Sequence, residues 1–182
     1  MPTLVHEFDW PDRVVVGTVG RPGSRTFYLQ ARAGSRTTSV ALEKEQSAVL
    51  AETIDRLLDE LMAEPDNRFS IPAEAPAELV DDQPLDQPVA EEFRTGSMRL
   101  SWEPRTLQVV VEAFPIAEDD DDLDDPDDAE PDEVLVVRMP VGTARAFVQR
   151  TRAVVGSGRP ACPRCGAPVD EDGHRCEQPD VL

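Results

Sequence analysis

The spacing of apolar positions changes period twice along the chain. Residues 13–19 (RVVVGTV) form a short apolar run, and in 26–32 (TFYLQAR) Phe27, Leu29 and Ala31 alternate with Tyr28, Gln30 and Arg32. That two-residue period predicts half-buried strands. Residues 36–42 (RTTSVAL) predict a third, and the Gly-containing links GRPGSR and AGS favour an antiparallel meander. Beyond Lys44 the period lengthens. Val49, Leu50, Ile54, Leu57, Leu58 and Leu61 recur at three- and four-residue steps, which puts one apolar stripe on a helix of about five turns. Pro65 and Asn67 are expected to end it.

The same order then recurs. Residues 65–92 are rich in proline and acids and keep no period, which predicts an irregular crossing segment or linker. SMRLSW (97–102), TLQVVVEAF (106–114) and VLVVRM (134–139) predict three more strands. In PVGTARAFVQRTRAVV, Val141, Ala144, Phe147, Val148, Thr151 and Val155 fall at helical spacing, with Pro140 where a first-turn proline is tolerated and Gly156 and Gly158 as the stop. The fold class expected is α+β: two βββα halves forming an antiparallel sheet system with one helix each, plus a small zinc-knuckle-like tail. The divisions are 1–64, the linker 65–92, 93–156 with an acidic insertion at 117–133, and the tail 157–182. Each half can bury one sheet face under its own helix. The halves either pack as two lobes or join edge to edge into a six-stranded sheet, which removes two exposed edges. His6 is expected on a short N-terminal edge strand.

Charge alters this picture unevenly. The formal charge is −19, yet residues 118–133 hold twelve acids and no base, so the remainder carries only −7. A net negative chain disfavours nucleic-acid binding. No apolar run approaches the length of a membrane span. The start MPTLVHEFDWPDR lacks the basic-then-apolar order of a secretory signal. A cytoplasmic location is expected, where thiols stay reduced.

All three cysteines and one of the two histidines fall near the end of the chain, as Cys162-x2-Cys165-x8-His174-x-Cys176. Gly166 allows a sharp turn after the first pair. His174 and Cys176, two apart on an extended segment, face the same way. Three thiolates, a neutral imidazole and Zn²⁺ sum to −1, and four protein ligands leave no open position, as in a structural zinc site. Two other readings stay open. One is a Cys-Pro-Arg-Cys redox pair; the other is a tail with incidental cysteines.

The remaining constellations are weaker. Arg13, Arg21, Arg25, Arg32 and Arg36 occur with no acid between residues 13 and 42. They offer an anion-binding face for a phosphorylated small molecule or a partner protein, or simply a solvated sheet face. The acid run either screens them or serves as a solubilising loop. Gly17, Gly20 and Gly23 precede a strand and not a helix, so they read as hairpin glycines and not as a dinucleotide loop. Lys44 is the only lysine, which excludes a phosphate loop of the Gly-Lys-Ser/Thr type. Glu43, Lys44, Glu45 and Gln46 read as a helix start more readily than as an acid/base pair. Trp10, Trp102, Phe8 and Phe114 are expected in the core. No catalytic residue and no cofactor other than zinc is assigned.

The segments VVVGTVGRPGSRTFYLQARAG, SVALEKEQ and CPRCGAPVDEDGHRC together resemble an uncharacterised actinobacterial family of unknown function, DUF3090. The resemblance covers nearly the whole chain. It implies a cytosolic protein with a Cys/His-rich end, often encoded near genes for thiol metabolism and a phosphatase-like enzyme, and it makes the acid run an insertion. It brings no established activity. The functional expectation is a cytosolic zinc-binding protein, a non-enzymatic adaptor that binds another protein. The alternative is an enzyme or enzyme subunit holding a phosphorylated small molecule on the arginine face.

Overall fold

The structure is a computed structural model describing residues 2–67, 70–117, 131–170 and 172–176. The chain runs β1 (Leu4–Asp9), β2 (Arg13–Val19), β3 (Thr26–Ala33), β4 (Arg36–Leu42), α1 (Lys44–Ala63), a 3-10 turn (Ala77–Leu79), β5 (Glu91–Glu103), β6 (Gln108–Pro115), β7 (Glu133–Pro140) and α2 (Val141–Gly156). The seven strands form one sheet in the order β1-β7-β6-β5-β4-β3-β2. The six strands expected from the alternation are all present, and β1 adds a seventh at the edge. Among the described residues no helix is long and apolar enough to cross a membrane.

The sheet is mixed, not antiparallel throughout as expected. Pairs β2–β3, β3–β4, β5–β6 and β6–β7 are antiparallel, whereas β4–β5 and β1–β7 are parallel. A parallel pair needs a long crossover, and α1 with the segment behind it supplies one between β4 and β5. The two antiparallel meanders therefore meet edge to edge.

One face of every strand feeds a single core. Val14, Val16, Leu29, Val40, Val109, Val111, Leu135, Val137 and Met139 are buried there under Leu50, Ile54 and Leu58 of α1 and Phe147 and Val148 of α2. Each such side chain contributes roughly 1.5–3 kcal/mol by leaving water. The helices do not each cover their own meander, as the sequence suggests. They lie against each other, and α2 has its main strand contact with β2, in the other meander. Arg150 of α2 donates from Nε to the Val16 carbonyl at 2.8 Å.

Curvature explains the exchange. Only Trp10, Pro11 and Asp12 separate β1 from β2, yet these strands stand at opposite ends of the strand order. The sheet must curl until its ends approach. Asp12 N–H donates to the Arg32 carbonyl at 2.9 Å, and Arg36 donates to the Glu7 carbonyl and covers the Phe8 ring at 4.3 Å. A helix in the resulting trough reaches both ends. Trp10 is displaced from the expected core: it sits at φ 51° in the three-residue link and is 54% exposed. Phe8 is fully buried, while Trp102 packs at the core margin and Phe114 beside a small outer-face cluster of Val110, Val134 and Val136.

The linker is ordered where it crosses the outside of β2 and β3. Leu85 is buried above Gly17, where an ideal Cβ would lie 2.6 Å from its side chain. Gly17 is thus no hairpin glycine; it lies inside β2 and makes room for Leu85. Gly20 and Gly23, at φ 101° and 93°, do form the β2–β3 turn. Buried Gln30 holds Asp86 through both its N–H and carbonyl groups, at 2.8 and 3.1 Å. The linker ends two residues earlier than expected, because Glu91 and Glu92 already belong to β5. The bulk of the expected acidic insertion, residues 118–130, lies outside the described residues.

Candidate metal centre

The tail leaves α2 at Gly156 and is fastened at its root. Arg25 donates to the Val154 carbonyl at 3.1 Å and to Ser157 Oγ at 3.0 Å. Arg159 lies over Gly23, within 2.8 Å of where a Cβ would stand, and its guanidinium pairs with Asp170 at 2.7 Å.

Beyond the root the backbone folds on itself with few apolar contacts. Cys162 N–H donates to the Ala167 carbonyl, and Gly166 N–H returns to the Cys162 carbonyl, both at 2.8 Å. Gly166 has φ 72°, a left-handed conformation that glycine adopts without Cβ strain. Arg164 N–H points at Cys162 Sγ, 3.4 Å away. A second tight turn, with Gly173 at φ 87° and its N–H on the Asp170 carbonyl, reverses the chain. It brings His174 Nε2 to 3.2 Å from Cys165 Sγ. The ligand atoms of Cys162, Cys165, His174 and Cys176 all lie within 4.8 Å of one another, and the three cysteines are free thiols.

This donor set fits a tetrahedral dication. Bonds of ordinary length to sulfur and imidazole nitrogen imply ligand–ligand edges of about 3.6–3.8 Å. The cluster also carries its own electrostatic reason to hold an ion. Backbone N–H groups of Cys165 and Arg164 pull the Cys162 thiol below its ordinary pKa. Cys165 receives similar help from Ala167 N–H, but burial and the nearby Cys176 and Cys162 outweigh it and push its pKa up. The thiols resist ionising together unless a cation sits among them. The Cys-Pro-Arg-Cys pair occupies a turn and does not open a helix, so it lacks the helix N-terminus that activates many redox pairs.

The five arginines expected to share one face are not brought together. Arg13 and Arg32 do lie on the outer sheet face, but both bind Asp86, at 3.2 and 3.0 Å. Arg13 also grips Asp81 through two nitrogens, at 2.6 and 2.9 Å, and Arg150 reaches the same carboxylate at 3.2 Å. Arg25 stacks on Phe27 beside the tail root, Arg36 lies over Phe8, and Arg21 is exposed in the β2–β3 turn. The sequence offers the acid run either as countercharge or as a solubilising loop. The linker acids Asp81 and Asp86 supply the countercharge, and only their fixed place on the sheet distinguishes them from other linker acids.

Hydrogen bonding from Arg13 holds the Asp81 carboxyl below its ordinary pKa, against partial burial and with help from Gln83 N–H. A depressed folded-state value contributes stability that is complete above the unfolded value, near 3.9, and is lost as pH falls through the folded one. Urea midpoints measured from neutral pH downward are therefore expected to fall less steeply below about pH 4 for Asp81→Asn than for the parent. Parallel acid limbs would refute that assignment.

Glu43, Gln46 and their neighbours open α1. Gln46 Oε1 accepts from Glu43 N–H at 2.8 Å, and its Nε2 donates to the Thr95 carbonyl at 3.1 Å, so this group caps the helix.

No curated protein and no solved structure matches the chain. A family model described as "Protein of unknown function (DUF3090)" matches residues 6–176, a span that contains all but the first two residues of β1 in the body and all four Cys/His side chains. The chain thus belongs to the DUF3090 family.

Proposed function

We propose that this protein is a cytosolic, non-enzymatic adaptor whose tail is ordered by a structural Zn²⁺ and docks another protein. The observation that carries the reading is the convergence of three sulfurs and one imidazole nitrogen within 4.8 Å. Thiolate-rich tetrahedral sets select zinc over harder dications, and four protein ligands leave no position for a substrate. Around the cluster Pro163, Arg164, Pro168 and Arg175 are exposed together with Asp170 and Asp172, giving a small surface of mixed charge. The engagement of Arg13 and Arg32 by Asp81 and Asp86 favours this reading over an enzyme that holds an anionic small molecule on that face.

Affinity capture from native cytosol, run in parallel with the zinc-loaded chain and with Cys176→Ser, tests it. A protein retained by the first and lost by the second is the expected result. Identical retained sets, or purified protein without zinc, would overturn the reading.

A further inference from the structure

A second group of ligand-type side chains lies away from the tail. His6 on β1, Glu92 on β5 and Glu133 on β7 bring one imidazole nitrogen and two carboxylates within 4.8 Å of one another. His6 Nε2 stands 2.9 Å from Glu133 Oε2. In the strand order β6 separates β7 from β5, so the group exists because the sheet curls. The imidazole is largely shielded, at 17% exposure, whereas Glu92 is open to solvent.

Charge and connectivity both leave this group incomplete. His6 is engaged by Glu133 alone among the described residues. Among the described residues Glu92 has no hydrogen-bond or ion-pair partner, so its charge faces that of Glu133 across a short gap. Two carboxylates at such range repel by more than solvent fully screens. A dication removes the conflict, and neutral imidazole is its natural third ligand.

We infer that His6, Glu92 and Glu133 form a second divalent-metal site, one that takes a borderline transition dication such as Zn²⁺ through one nitrogen and two carboxylate groups. It differs in kind from the tail cluster. Three protein ligands leave one or more positions open to water or to an added anion, and the harder oxygens make it the weaker zinc site of the two. A bound ion would also tie β1 and β7 to the start of β5, across the curl.

The chain has only two histidines, so imidazole NMR reports on each site separately. Protein already holding its tail zinc is titrated with Zn²⁺ alone while metal content and both imidazole signals are followed. The expected result is a second equivalent taken up as the His6 signal shifts and the His174 signal stays fixed. Glu92→Gln alters an exposed side chain, keeps the fold and should weaken the second equivalent; His6→Ala should remove it. Cys176→Ser should lose the tail equivalent and keep the His6 response, so failure of the tail site and failure of this one are distinguishable. A His6 signal indifferent to zinc, or a second equivalent unaffected by His6→Ala and Glu92→Gln, overturns the inference and assigns the uptake to other carboxylates.

Discussion

Chelating zinc from the protein is expected to melt residues 159–176 and leave the sheet and both helices folded. Among the described residues of that stretch Cys162 is the only buried one, and it belongs to the Cys/His cluster. Apart from it, the described tail is held by a few backbone hydrogen bonds, the half-exposed Arg159–Asp170 ion pair and two isolated bridges, Ala161–Pro168 and Asp170–Gly173. So few interactions cannot offset the roughly 1–2 kcal/mol of backbone entropy that each ordered residue costs. A bound zinc ion would supply the difference, since structural zinc sites in peptides supply about 10–16 kcal/mol at neutral pH. Among the described residues, none beyond Val155 belongs to the main core.

Two separable transitions follow. Amide exchange in 159–176 should become as fast as in an unfolded chain once zinc is removed, while exchange at Val16, Leu29 and Val137 stays unchanged. Cys165→Ser should reproduce the chelated state without chelator, because an alcohol replaces the sulfur that stands 3.2 Å from His174 Nε2. Body and tail melting together on chelation would refute this division, as would a tail that keeps its protection.

This partition bears on what the sequence could reveal. The four Cys/His side chains lie within fifteen residues and are gathered by local turns, so their convergence was readable from spacing. The strands and helices were readable for the same reason, since period is a local property. What escaped was non-local. Nothing between residues 4 and 9 announces that β1 pairs in parallel with β7, or that three residues join the two ends of the sheet. The exchange of α2 onto β2 follows from that curl and is equally silent in the sequence. Gly17 looked like its neighbours Gly20 and Gly23 because its role depends on Leu85, which arrives from the linker. Trp10 looked like core because size predicts burial, yet its place in a tight link keeps it outside. The group of His6, Glu92 and Glu133 has no spacing to read, for its members come from three separate strands.

Replacing Arg145 is expected to destabilise the body more than any other single change at a charged position. Its side chain is only 4% exposed, between α1, α2 and the linker. Nε donates to the Pro72 carbonyl at 2.8 Å, and the two terminal nitrogens reach Asp55 at 2.6 Å and Asp59 at 2.8 Å. One guanidinium thereby fixes the helix pair and the start of the crossing segment. Arg145→Met keeps much of the volume but leaves a carbonyl and two carboxylates without their donor. Breaking a buried pair from one side costs roughly 3–5 kcal/mol. The low end is expected here, because Asp59 is mostly solvated and Asp55 keeps Arg152 at 2.9 Å. Urea unfolding measures it directly. The paired change Arg145→Met with Asp55→Leu discriminates the cause, since removing both partners should recover part of the loss if stranded charge is responsible. A single-variant cost below about 1 kcal/mol, the scale of an exposed ion pair, would mean that the apolar packing of α1 on α2 orients the helices unaided.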